Sequence, residues 1–390
     1  MTKNCWNSCL KKTLNYWAAQ CGFIKRKRSI SAFDFLVMMT FGLVGMPFPS
    51  LAAMVDSIRA KVSREALHQR FTEKAVEFLR TCVSFVFQQK ILDAVRIETP
   101  LLRHFARVLI IDSSSWDIDP ALKDTFPGSG GSASDAGCKI QLCYDYLHGI
   151  LSFFELGPSN RPDNWWSRKI PQFLQAGDLL ITDLGYFCLL TFNQIAECGA
   201  YFLSRYHTNT AVLDESEKSI DLCQILRATT NDTVELNVRL GSSNQKYVMC
   251  RLIGMRVSSD VAKKRREKLT RTTLKKRKKL PHADSLYLCN WTIMVTNAPA
   301  QLLSVDTLRP LYCLRWQIEL LFKQLKSVLK IHKSCSCRDP RVQCELLGRM
   351  IVGIIIHRIH AAVNIGLWNS ESKEISMDKF IKELTREPML

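Results

Sequence analysis

Two spacings of apolar residues divide the chain. Over the first hundred residues apolar side chains recur three and four apart, most regularly through Ala75–Phe87, which predicts a helix. Two shorter helices are predicted before it: Leu51–Lys61, following Pro47, Pro49 and Ser50, and Arg64–Phe71, with Ser63 as N-cap. From about residue 105 the period changes. Arg107–Asp112, Lys139–Leu147 and Ile150–Leu156 read as strands, then a helix around Trp165–Gln175 and a buried strand at Asp178–Asp183. A helix near Leu189–Cys198 and a strand at Tyr201–Tyr206 follow. Val234–Leu240, Lys246–Val257 and Asn290–Asn297 read as further strands, and Tyr312–Lys326 as one continuous helix.

The order βββ-α-β-α-β with a late helix fits an α/β fold with a ribonuclease-H-like layer. The expected organisation is an all-helical, DNA-binding segment at 1–100 and a catalytic domain in two parts, 101–206 and 301–368. A β-rich insertion with a basic loop, 207–300, interrupts that domain, and a polar tail, 369–390, ends the chain. The two short helices resemble a helix-turn-helix offering Arg64, His68, Gln69 and Arg70 to a groove, although an ordinary helical bundle fits equally well. Phe35–Phe48 and Met350–Ile356 are apolar but fall short of the roughly 20 residues that span a bilayer. Both read as core helices, with no membrane partner and a soluble, cytoplasmic protein expected.

Charge narrows the partner. A formal net charge of +18 favours a polyanion. Residues 256–280 hold 12 Lys/Arg against 2 Asp/Glu, more than half of that excess. Such a run is commonly a solvated loop, but its place between parts of the presumed site favours contact with DNA phosphates. Fifteen cysteines without a paired C-x-x-C pattern read as reduced thiols, and Cys335 and Cys337 near His332 lack the second half of a zinc site. The Gly-rich stretch Phe126–Gly137 lacks the G-K-[ST] ending of a nucleotide-binding loop and reads as a connector.

The chemistry is carried by carboxylates. Asp112 in L-I-I-D-S-S and Asp183 in L-I-T-D-L-G-Y each close an apolar strand, where an unpaired charge is costly. Either alone reads as a strand-end turn or helix cap. On a helical wheel Tyr312, Arg315, Glu319 and Lys326 share one face, within about 60°, while Leu314, Ile318, Leu321 and Leu325 take the other. Three acids converging at one edge, about 4 Å apart, would repel by ~4 kcal/mol per pair at an effective dielectric of 20. Divalent cations remove that penalty, and hard oxygen donors suit Mg2+ or Mn2+. Two such ions per site support in-line displacement at phosphorus without a protein nucleophile. The Ser113–Ser115 run lacks a nucleophile-elbow setting or a histidine partner and is not read as one.

These residues resemble the DDE transposases of the insertion-sequence-four family, the cut-and-paste enzymes of bacterial mobile elements. The likeness rests on Asp112 in I-D-S-S, Asp183 in T-D-L-G-Y-F and the Y-x2-R-x3-E-x6-K spacing of Tyr312, Arg315, Glu319 and Lys326. It extends through Ser204–Tyr206 and Asn290–Asn297 and spans roughly residues 100–330. The resemblance implies that Asp112 bridges two metal ions while Asp183 and Glu319 hold one each. It implies that Tyr312, Arg315 and Lys326 grip DNA near the scissile phosphate, at terminal inverted repeats and then at target DNA. Trp291 matches a tryptophan that stacks an extruded base in some relatives, although a core role fits it as well. Some relatives pair protomers through a larger C-terminal region, and a homodimer on transposon ends is expected. A nuclease without strand transfer and a silent DNA-binding repressor remain open beside the transposase reading.

Overall fold

The computed structural model describes residues 3–26, 29–44, 46–58, 61–88, 102–130, 134–241, 247–334 and 336–386. Five helices open it: α1 (Lys3–Gln20), α2 (Ala32–Met39), α3 (Leu51–Asp56), α4 (Arg64–His68) and α5 (Glu73–Gln88). Ser31, Ser50 and Ser63 cap α2, α3 and α4, each hydroxyl accepting from the backbone N–H three residues on. Two of the four side chains expected to face a groove are engaged within the protein. His68 Nε2 lies 2.9 Å from Arg338 Nη1, and Arg70 donates to the Ile30 carbonyl.

The middle of the chain supplies β1 (Val108–Asp117), β2 (Gly137–Asp145), β3 (Ile150–Pro158), α6 (Asp163–Ser167), β4 (Leu179–Thr182), α7 (Leu189–Glu197) and β5 (Tyr201–Arg205). Then come β6 (Val212–Leu213), α8 (Leu222–Ala228), β7 (Thr233–Leu240), β8 (Val248–Arg256), α9 (Ser259–Arg277), α10 (Ala283–Leu288) and β9 (Trp291–Thr296). The last helices are α11 (Val305–Cys313), α12 (Trp316–Ser327), α13 (Asp339–Glu371) and α14 (Met377–Arg386).

Among the described residues nine strands form one mixed sheet in the order β3-β2-β1-β4-β5-β9-β8-β7-β6. β1 runs parallel to β4 and β4 to β5; the remaining pairs are antiparallel. Because β9 pairs with β5 on one side and β8 on the other, the strands expected as an insertion continue the main sheet. Both faces are covered, so β1 and β4 are apolar without alternation. Val108 and Ile110 face a core shared with α1–α5 and α11–α13, while Leu109 and Ile111 face a second core with α6, α7 and α8.

Three elements differ from the sequence reading. The basic stretch expected as a loop is α9, a 19-residue helix. The expected helix Tyr312–Lys326 is broken between α11 and α12, where amides of Leu314, Arg315, Gln317 and Ile318 bond three residues back instead of four. The apolar segment at Met350–Ile356 belongs to the 33-residue α13, long and apolar enough by composition to cross a bilayer. Every residue of α13 from Val342 to Ile354 is buried in protein, and Glu345 within that span accepts from Arg341 at 2.8 Å. Cys335 lies outside the described residues.

Candidate active site

The register of two parallel strands brings the first two acids together. Ile111 sits opposite Thr182, so Asp112 and Asp183 follow side by side on neighbours about 4.8 Å apart. β4 then stops and the chain turns away through Leu184–Tyr186, while β1 continues to Asp117 paired with β2 alone. That departure opens the sheet edge beside Asp112. α12 packs on β1 through Ile318, Leu321 and Leu325, the apolar face read from the wheel, and this aims Glu319 at the opening.

Arg315 holds the centre. Its Nη1 lies 2.6 Å from Glu319 Oε1 and 3.3 Å from Asp112 Oδ2. The Tyr312 hydroxyl donates to Asp183 Oδ1 at 3.4 Å, and Lys326 Nζ reaches the Ser115 carbonyl at 3.4 Å. Despite the break between α11 and α12, Tyr312 and Arg315 reach the carboxylates and all three acids lie around these two side chains. Trp291 does not join them as a stacking platform. Only 3% of it is exposed, its ring packs in the second core, and the Arg256 guanidinium lies 4.4 Å from the ring centroid. An indole enclosed on both faces offers no surface to a base.

Charge at the site is incompletely balanced. Burial pushes the Asp112 carboxyl up to about 6, helped by the charges of Asp183 and Glu319, against the Ser113 amide and Arg315, which pull it down. Below that pH Asp112 keeps its proton and is a poor cation ligand; above it the anion needs a counter-charge. Burial and Asp183 likewise raise the Tyr312 phenol to about 12, so it stays a hydrogen-bond donor. Burial lowers the Lys326 ammonium. Among the described residues no three His, Cys, Asp or Glu side chains are grouped tightly enough to hold an ion; Arg315 lies between Asp112 and Glu319.

One supporting network was missed in the sequence. Ser113 Oγ donates to Asp163 Oδ1 at 2.8 Å, and Lys139 Nζ and Gln141 Nε2 reach the same oxygen at 3.2 Å. The Tyr186 hydroxyl, just after Asp183, donates to Gln141 Oε1. The network ties the strand end carrying Asp112 to the turn carrying Asp183. Its signal was present: Lys139 and Gln141 are polar at i and i+2 within the otherwise apolar, buried run from Cys138 to Cys143.

Convergent carboxylates framed by an arginine, a lysine and a phenol define an enzyme built to work on phosphate esters. Residues 103–354 match the family model of the transposase DDE domain, and the chain belongs to that family. It is 31% identical over 386 residues to the transposase for insertion sequence element IS231F of Bacillus thuringiensis subsp. israelensis, covering 93% of this chain and 80% of that one. The IS231B transposase of subsp. berliner is also 31% identical with the same coverage. The IS1151 transposase of Clostridium perfringens is 29% identical, covering 93% and 81%. Of the three readings open in the sequence, these matches carry one: a DNA transposase, which cleaves DNA and transfers strands.

Proposed function

We propose that this transposase excises and inserts its element by hydrolysis and strand transfer at terminal inverted repeats, with Asp112, Asp183 and Glu319 holding two Mg2+ or Mn2+ ions. The observation that carries the reading is the meeting of those three acids at one sheet edge, with Arg315 already drawn between two of them. The donor set fits hard divalent cations, since all three ligands are carboxylate oxygens. When bound, the ions would activate the attacking water or 3′-hydroxyl and neutralise the leaving oxygen. Tyr312 and Lys326, and Arg315 once released from the carboxylates, hold the flanking phosphates in line. The Asp163 network fixes the relative position of Asp112 and Asp183.

The sheet order β3-β2-β1-β4-β5, with β2 antiparallel to β1 and β4 and β5 parallel to it, supports assigning a ribonuclease-H-like layer. In the same reading residues 1–100 form a DNA-binding helical unit, two copies assemble on paired ends, and the work is done in the cytoplasm on nucleoid DNA.

Labelled terminal-repeat DNA with Mg2+ tests the proposal. Wild-type protein is expected to cut and join it. Glu319→Gln is expected to bind it with unchanged affinity and to lose cutting by at least a thousandfold, the scale of losing one charge-stabilising group in a phosphoryl-transfer site. Equal cutting by the variant would remove Glu319 from the chemistry; cutting without joining would remove strand transfer.

A further inference from the structure

The basic stretch is a helix, and its charges are ordered. On α9, Lys264, Lys268, Arg271 and Lys275 stand four, three and four residues apart and fall within about 60° of one another, a straight row about 16 Å long. All four are exposed. The opposite side of α9 is docked: Ala262 is buried, Arg265 donates to the Trp291 carbonyl and Thr292 Oγ1 at 2.9 Å, and Arg266 donates to Asn290 Oδ1 at 2.6 Å. Two arginines are thus spent fixing the helix, and the row is left pointing away from the body.

Like charges at i,i+4, Lys264–Lys268 and Arg271–Lys275, weaken the helix, while Asp260–Lys264 and Glu267–Arg271 at the same spacing support it by a similar amount, so the row adds nothing to helix stability. Cations in the last turn, Lys275 to Arg277, suit the helix dipole; Lys268 has neither that account nor an acid one turn away. Among the described residues none of the four forms an ion pair.

The row also starts at the catalytic edge. Arg265 and Arg266 bind the first residues of β9, which lies antiparallel to β5, so this end of β9 meets the β5 end carrying Arg205. Leu203 is level with Ile181, which places Arg205 level with Asp183. Arg205 and Arg309 on α11 are both exposed and near enough to Arg265 to lower its affinity for a proton, after burial, which lowers it most. Arg205 and Arg309 therefore lie between the carboxylate edge and the docked side of α9.

We infer that the outward row of α9, joined to the carboxylate edge by Arg205 and Arg309, is a track for one strand's sugar–phosphate backbone of duplex DNA, read without regard to base sequence. The inference rests on the proposal that the carboxylate edge acts on DNA, and it extends the bound duplex well past the scissile phosphate.

The test is the salt dependence of binding, without divalent ion, for a terminal-repeat duplex and an unrelated duplex of equal length. The full chain with Lys264→Gln, Lys268→Gln, Arg271→Gln and Lys275→Gln is expected to lose about 3 to 4 units from the slope of log K against log salt on both duplexes. The preference between duplexes stays unchanged. A variant keeping charge, with the three lysines changed to arginine, retains the slope, and circular dichroism shows α9 intact. Neutralising exposed lysines elsewhere (Lys218, Lys373 and Lys379) moves the slope by less than one unit. An unaltered slope in the quadruple variant, or an equal fall in the comparator, overturns the track. A change confined to the terminal-repeat duplex overturns its indifference to sequence. Failure of wild-type protein to cut would instead strike the carboxylate reading and leave the slope result standing.

Discussion

Arg315 occupies the place where a cation is wanted. A half-buried guanidinium between Asp112 and Glu319 pairs with both anions, and the proposed ions would compete with it for the same oxygens, since like charges would share one small space. In the proposed two-ion reading, metal affinity in free protein would be reduced by the contest with Arg315, and DNA phosphates that draw the guanidinium outward would relieve it. Arg315→Gln is expected to bind Mn2+ about tenfold more tightly without DNA, measured by electron paramagnetic resonance. Added terminal-repeat DNA should raise Mn2+ affinity in the wild type but not in the variant. Equal Mn2+ affinities in the two DNA-free proteins would show that the ion pairs do not compete with metal. The acids themselves were legible in sequence because each ends an apolar run and needs a reason to be there. Arg315's bond to the carboxylates was not, because the wheel places it on their face without saying which oxygen it meets. Trp291 shows the converse: a matching position identified the residue, but only packing shows both its faces covered.

At the scale of elements, strands were read more readily than helices. β1 and β4 are buried on both faces, so unbroken apolar runs announce them. α9 gives no such sign, because only Ala262 along it is buried and its stability comes from docking arginines instead of an apolar stripe. α13 was underestimated for a different reason: it is buried all round over its first half, charges included, and so shows no amphipathic period. Its contact with α2 is close enough to require glycine. A Cβ added to Gly348 would sit 1.8 Å from the Met39 carbonyl oxygen and 2.6 Å from its carbon, both backbone atoms that no rotamer can move aside. Gly348→Ala is expected to destabilise the protein by about 3 kcal/mol, the cost of overpacking a fixed core. Gly366 on the same helix, with nothing within 4 Å of its added Cβ, serves as the control. Gly366→Ala should stabilise by up to about 1 kcal/mol through helix propensity. Thermal unfolding distinguishes them, and equal melting temperatures would mean that α2 and α13 are free to part.

Across the whole molecule, composition and period mark a boundary near residue 100 that packing does not respect. One core cluster runs from Leu14 on α1 through Phe78 on α5 to Leu347 and Ile354 on α13. Arg80 donates to Gln343 at 2.9 Å across the same joint. A fragment beginning at residue 101 would leave that side of α13 bare. It is expected to aggregate or to bind a hydrophobic dye, scored by size-exclusion chromatography and dye fluorescence. A monodisperse fragment with a sharp melting transition would show the two parts to be independent.

The joint between α2 and α13 also sets a delay. Met39 leaves the ribosome 309 residues before Gly348, the partner its carbonyl rests against. At roughly 5–20 residues per second that is about 15–60 s of synthesis. During that interval the opening helices must wait with their greasy side uncovered. A newly made copy so built can close this joint only once α13 has emerged.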